Sequence, residues 1–329
     1  MKNLKKCMAL LLALTALAAI LSGCAKKEDN RVVIYTSTEE YGVALIQSML
    51  DEQFPDYEIV VEYMSTGDHA AKLLSEGENS EADITHDIEY GYLLQLEAAG
   101  VLADISDIAA PNYCKDLLVS DCYNPEERSG GAIIVNPAVL ESRGLAVPKS
   151  YEDLLKPEYK GLISMPNPKS SGTGYMFLKS LVNAWGEEEA FAYFDDLTEN
   201  ILQYTSSGSG PVNALIQEEA AIGLGMTAQA VTAINDGTEL EILFFAEGSP
   251  YSVYGQSIIK GKEDRECVRE VLQYLIEVAS LENAREYHPE KILENEDFEV
   301  ENFPENISYA DMGNNTFDEK ERLLELWKY

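Results

Sequence analysis

The feature that most restricts the fold is the regular alternation of short β-branched runs with helical periodicities. Arg31 to Tyr35 (RVVIY) reads as a buried strand, and Tyr41 to Phe54 carries Val43, Ile46, Leu50 and Phe54 on one helical face. Glu58 to Tyr63 is the next strand, His69 to Leu74 a helix closing at Gly77, Ala82 to Ile84 a strand, and Tyr90 to Ala99 a helix stopped by Gly100. Strands separated by helices imply parallel pairing with helical crossovers.

The pattern breaks once and then resumes. Pro125, Ser129, Gly130 and Gly131 make Asn124 to Gly131 a flexible crossing point. Strands are expected beyond it at Ala132–Val135, Leu162–Met165, Ala221–Gly225 and Leu240–Phe245. Helices are expected at Pro148–Leu155, Gly172–Ala184, Glu187–Thr198, Val212–Glu219 and Gln229–Asn235. Ser252 to Lys260 returns, followed by helices at Cys267–Val278 and Leu281–Tyr287 and an amphipathic tail helix at Phe317–Trp327. One α/β unit interrupted by another gives two lobes, two connecting strands and a cleft that closes by hinge motion. The expected division is 1–23 signal peptide, 24–30 linker, 31–128 with 252–329 as lobe 1, and 129–251 as lobe 2.

The N-terminus carries a targeting pattern rather than a fold element. Lys2, Lys5 and Lys6 precede the apolar run Met8–Leu21, which is short for a membrane span. Leu21-Ser22-Gly23-Cys24 then resembles a lipobox, which implies a diacylglyceryl group on Cys24 after cleavage. The expectation is a cell-surface protein lipid-anchored to the outer face of the cytoplasmic membrane, or periplasmic in a Gram-negative envelope. That lipid would be its only membrane contact.

Composition narrows the partners. Asp plus Glu number 58 against 24 Lys plus Arg, a net charge of −34. Removing residues 1–23 takes away three lysines and no acid, so the mature chain is more negative still. Nucleic acid would be repelled and is excluded as a partner. Cys114 and Cys122 suit either a loop disulfide or two thiols, and Cys267 suits a buried thiol. The three histidines are scattered and no close cysteine pairs occur, so no metal site is expected.

In open α/β sheets ligands sit beyond the carboxyl ends of strands. Four loops fall there: Thr36–Thr38, Thr85–Asp87, Pro168–Gly174 (PKSSGTG) and Ser206–Gly210 (SSGSG). The third is rich in small residues and opens a helix at Gly172. Unpaired amides there, with the Ser171 and Thr173 hydroxyls, suit a phosphate, phosphonate or carboxylate. Ser209 with Pro211 repeats the logic at the fourth. No Gly-Lys-Ser/Thr ending follows, so the loop is not a nucleotide-hydrolysing P-loop. Asp87 suits either a ligand amine or hydroxyl, or the cap of the next helix. His69 and His86 stand alone and read as surface or capping residues. Tyr251 and Tyr254 suit either the cleft or packing.

Four stretches carry a family resemblance: VVIYTSTEE (Val32–Glu40), EADITHDIEYGYLLQLEAAGVL (Glu81–Leu102), PNPKSSGTGY (Pro166–Tyr175) and AEGSPYSVYGQSIIKG (Ala246–Gly261). Over about Arg31–Trp327 the chain resembles ABC-importer solute-binding proteins of the branch that carries ferric iron, thiamine, phosphonates and sugar phosphates. The resemblance implies the type 2 periplasmic-binding fold, a small-molecule ligand, an ABC permease as partner, a monomer, no cofactor and no catalysis. It makes Ser37, Thr38, Ser170, Ser171, Gly172, Thr173 and Ser209 the ligand candidates, with Asp87 a looser match. Ferric members use adjacent tyrosines, whereas the comparable Gly223–Ala228 has none. A phosphonate or phosphorylated sugar is therefore the expected ligand. The acidity keeps thiamine or a polyamine as alternatives beside iron. A secreted phosphate-ester hydrolase lacks a nucleophile–base pair in this sequence, and a sensor ectodomain is the remaining alternative.

Overall fold

The computed structural model describes residues 30–38 and 40–329. The expected signal peptide and the lipidation at Cys24 lie outside the described residues, as does the linker apart from Asn30. The first half runs β1 (Arg31–Thr36), α1 (Glu40–Gln53), β2 (Glu58–Tyr63), α2 (Thr66–Glu76), β3 (Ile84–Glu89) and α3 (Tyr90–Ala98). Strand β4 (Asn124–Val135) leads into α4 (Pro137–Ser142), β5 (Ile163–Pro166), α5 (Gly172–Trp185), α6 (Glu187–Leu197), β6 (Ile201–Thr205), α7 (Gly210–Ile216), β7 (Ile222–Met226), α8 (Thr227–Asn235) and β8 (Glu241–Leu243). Strand β9 (Tyr251–Ile258) returns, followed by α9 (Glu266–Tyr274), α10 (Ser280–Glu286) and the tail helix α11 (Phe317–Leu326).

The strands join in the order β2-β1-β3-β9-β4-β7-β5-β6, with β8 also on β4. Strand β1 pairs parallel with β2 and β3, and β5 pairs parallel with β6 and β7. Strands β4 and β9 run antiparallel to each other from Asn124↔Gln256 to Gly130↔Tyr251. Past that point β4 pairs with β7 and β8, while β9 pairs with β3. Two α/β halves thus share two crossing strands, the two-lobed type 2 arrangement. Each half buries its own apolar clusters: Val32, Ile34, Leu50, Val271 and Leu272 in the first; Met165, Phe177, Leu181, Phe194 and Leu224 in the second.

Several expectations need correction. Asn124–Gly131 is not a flexible break but part of one strand of 12 residues. Its glycines serve packing: a Cβ on Gly131 would lie 2.6 Å from Met176 Cε and 2.9 Å from Phe177 Cζ. Strand β6 was not anticipated, because Ile201–Thr205 is only half-buried and has no apolar run. Pro148–Leu155 holds just a 3-10 turn at Glu152–Leu155. Of the two alternatives left open for Cys114 and Cys122, the structure has free thiols, the first in the Tyr113–Leu293 cluster and the second against another core. The tail does not pack as part of lobe 1 alone. Leu323 and Trp327 sit in the second half's core.

Candidate functional site

Strands β1, β2, β5, β6 and β7 all point their carboxyl ends at one cavity between the halves. Its lining takes in Ser37 and Thr38 after β1, Tyr63 and Thr66 around the end of β2, Asp87, Glu127, Ser170–Thr173, Ser207, Gly208 and Tyr254. The halves touch across it, with the Gly67 amide donating to the Ser170 carbonyl at 3.1 Å. Only glycine allows this approach, since a Cβ on Gly67 would sit 2.7 Å from the Lys169 carbonyl oxygen. The conformation is therefore closed. About 30 Å³ remains for the centres of water-sized spheres, room for two or so waters.

Part of the lining is built of hydroxyls and amides. Ser171 caps α5, its Oγ accepting from the Gly174 amide at 3.4 Å. The first-turn amides of α5, at Gly172 and Thr173, have no acceptor within the helix and abut the cavity. Ser37 is held by the buried His69, whose Nδ1 lies 2.9 Å from Ser37 Oγ and whose Nε2 lies 3.0 Å from Thr85 Oγ1. Burial, assisted by neighbouring His86 and Lys72, lowers the His69 pKa to about 3, so the ring is neutral at ordinary pH. The Thr38 amide donates to Thr36 Oγ1 at 3.1 Å, and Thr36 is itself 3.0 Å from His86 Nδ1. His86 pairs with Glu126 at 2.8 Å; burial opposes its charge, but the carboxylate outweighs burial and raises its pKa.

The same lining also carries acidic groups. Asp87 takes a left-handed backbone (φ 49°) at an irregularity in β3, and its amide donates to Glu126 Oε2 at 2.9 Å. Glu127 accepts from Asn283 Nδ2 at 2.8 Å and lies 3.4 Å from His288 Nε2. Burial, then the charges of Asp87 and Glu126, push its carboxyl well above the usual range. Burial lowers His288 to about 4. Asp87 does not cap α3, whose N-cap is Glu89.

Of the eight residues singled out in the sequence, Ser37, Thr38, Asp87, Ser170, Ser171, Gly172 and Thr173 meet in this cavity and Ser209 does not. Ser209 has helical backbone, caps nothing, and turns its Oγ to Ser207 at 2.9 Å. Ser207 and Gly208 reach the cavity instead. His69 and His86 are buried braces rather than surface or capping residues. Ser65 and Thr66, which stand in no small-residue motif, also line the cavity and follow a parallel strand just as Ser37 does. Glu127 was hidden by reading β4 as a loop, and Asn283 and His288 carry no local signal. No group of three or more His, Cys, Asp or Glu suited to a metal occurs among the described residues.

Residues 88–290, more than half the chain, match the family described as bacterial extracellular solute-binding protein. The chain belongs to that family. This solute-binding protein is 30% identical over 261 residues to an uncharacterized protein of Haemophilus influenzae, covering 76% of this chain and 73% of the other. Its fold is similar to that of the periplasmic binding protein P5PA (TM-score 0.79, 25% identity, 90% of this chain and 98% of the other). It is also similar to AfuA from Actinobacillus pleuropneumoniae, a structure with exogenous fructose-6-phosphate bound (TM-score 0.79, 24% identity, 90% and 97%). Proteins of this family are the solute-binding components of ABC importers and work with permeases. None of the described helices is long and apolar enough to cross a membrane.

Proposed function

We propose that this solute-binding protein captures a small phosphorylated, hydroxyl-rich compound, of the class of sugar phosphates, and passes it to its permease. The carrying observation is that a single cavity lining combines anion-complementing amides and hydroxyls with carboxyl groups. The amides at Gly172 and Thr173 with the Ser37, Thr38, Ser170 and Ser171 hydroxyls complement a phosphate. Asp87, Glu127 and Asn283 complement hydroxyl donors. A simple alkylphosphonate would leave those carboxyl groups facing an apolar tail, which costs binding energy. The fructose-6-phosphate in AfuA supports the reading through the fold alone. Ferric iron is disfavoured because Gly223–Ala228 offers no tyrosine pair.

The same carboxyl groups favour one other reading, a ligand bearing an amine, such as thiamine or a polyamine. Titration calorimetry against a hexose 6-phosphate, the free hexose, inorganic phosphate, methylphosphonate, spermidine and thiamine separates them. The hexose phosphate is expected to bind at least a hundredfold more tightly than either of its halves. Saturation at one hundred times its Kd should add about 2.7 kcal/mol of stability. Binding of spermidine or thiamine with no response to the hexose phosphate sinks the reading.

Two further proposals concern organisation. Residues 31–128 and 252–311 form lobe 1 and 129–251 lobe 2, with 312–329 belonging to lobe 2 by packing. Cys24 carries a lipid; intact-mass measurement of protein extracted from membranes, with and without Cys24→Ala, tests it.

A further inference from the structure

Helix α11 is rooted in the second half. Trp327 packs edge-on against Phe194 and Tyr204, with ring centroids 5.3 and 5.7 Å away. Lys169 Nζ donates to the Trp327 carbonyl at 2.8 Å, and Lys328 pairs with Asp195 at 2.7 Å. Glu319 pairs with the buried Lys179 of α5 at 3.3 Å. Toward the first half the same helix sends Lys320, whose side chain is 3% exposed and which forms an ion pair with the equally buried Glu89 at the end of β3. The ammonium lies 3.6 Å from the Tyr92 ring centroid of the first half and 4.3 Å from that of Tyr175 in the second. Asn315, which accepts from the Tyr175 hydroxyl at 2.9 Å, also reaches Glu89.

Helix α11 also packs against α3 of the first half, where a Cβ on Gly91 would lie 2.7 Å from Lys320 Cδ. Beside that contact a groove is lined by Ala70, Ala71 and Leu74 of α2 and by Phe317 and Leu324 of α11. Glu89 also underlies the cavity: a Cβ on Gly172 would come within 3.2 Å of Glu89 Cβ. A charged pair enclosed by both halves is stable only while both are present and the halves are shut. Parting the halves returns each charge to water, and removing one partner strands the other in a low-dielectric site.

We propose that Lys320 is a positioning residue for the cleft: anchored to lobe 2, it latches lobe 1 through Glu89 and holds the two halves closed. The latch rests on reading the cavity as a closing cleft, but its test needs no ligand. Small-angle scattering of the ligand-free mature chain compares wild type with Lys320→Met, Glu89→Gln and the double variant, each first checked for folding by circular dichroism. Either single change leaves one buried charge without its partner and is expected to shift the radius of gyration upward. The double variant lacks the bridge as well and is expected to be as expanded as the single ones and no more, because both changes break one interaction. Independent packing losses would accumulate in the double variant instead. If Lys320→Met fails to fold, Glu89→Gln and the double variant carry the comparison alone. Equal radii throughout, a double variant that returns to the wild-type radius, or one more expanded than either single change, overturn the proposal. Failure here would leave the calorimetric panel unaffected, and failure of every ligand in that panel would leave this result standing.

Discussion

Gly172 carries more constraint than any hydroxyl around it. A Cβ there would stand 2.9 Å from Tyr254 Oη and 3.2 Å from Glu89 Cβ, so the α5 amides reach the cavity only because no side chain intervenes. Gly172→Ala should cost about 1–3 kcal/mol through overpacking and lower hexose-phosphate affinity at least tenfold. Tyr254→Phe, which removes the nearest obstacle, should recover part of the stability in thermal melts. A Gly172→Ala protein that binds and melts like wild type would contradict this account. The cluster in which Gly172 sits was legible because small residues between a strand and a helix have few other uses. Glu127, Asn283 and His288 were not legible, because their meeting is made by the crossing strands and by α10, far apart in sequence. Glu290 shows a second effect of burial. Accepting from the Gly130 amide at 2.9 Å, it is enclosed, and burial pushes its carboxyl up to about 7. A raised acid pKa means the folded chain holds a proton the unfolded chain gives up, so its stability contribution is intact below the ordinary carboxyl range and is lost as pH rises toward 7. The loss is about 3 kcal/mol at roughly 1.4 kcal/mol per pKa unit. Denaturant unfolding at several pH values should show Glu290→Gln gaining on wild type between pH 4.5 and 7 and no further above that. His69 and His288 tilt both proteins oppositely on the acid side and cancel in the comparison. A pH-independent difference would show that Glu290 titrates normally.

At the level of elements, legibility followed burial. Strands β1 and β5 are buried almost throughout and announced themselves as apolar runs. Strand β6 has exposed Leu202 and Gln203 and did not. Strand β4 misled for a different reason: Pro125, Gly130 and Gly131 look like a loop, yet tight packing on Met176 and Phe177 requires a residue without a side chain at 131. Helix α11 was recognised as amphipathic, but its sequence does not say which core receives its apolar face. Trp327, 2% exposed among Phe194, Tyr204 and Tyr329, answers that. Trp327→Ala should destabilise the protein by about 3–5 kcal/mol, as large aromatic truncations in cores do. Hydrogen exchange should localise the loss of protection to α5, α6 and β6 rather than to β1–β3. Loss spread evenly over both halves would mean that the tail supports the whole molecule and not one core.

Across the whole molecule, the alternation of strands and helices sufficed for the two-lobed α/β fold, because parallel strands leave few other topologies open. The closed contact between Gly67 and Ser170 was not legible, since it depends on how two separately formed halves meet. Charge acts on this same scale. With a net charge of −34, the chain surrounds its amide-lined pocket with a field that repels the proposed anionic ligand at long range, while the pocket attracts it at contact. The Debye length shrinks from about 30 Å at 0.01 M to about 8 Å at 0.15 M ionic strength. Added salt should therefore remove the repulsion felt on approach and leave the short hydrogen bonds nearly untouched. Stopped-flow association of a hexose 6-phosphate should accelerate several-fold over that range, a direction set by the sign of the charge product. Its dissociation rate should change little, and the free hexose, if it binds measurably, should show no salt effect. Association that slows with salt would mean that the local field at Gly172 and Thr173 overrides the acidic surface, and the net charge would then have no part in selecting the ligand.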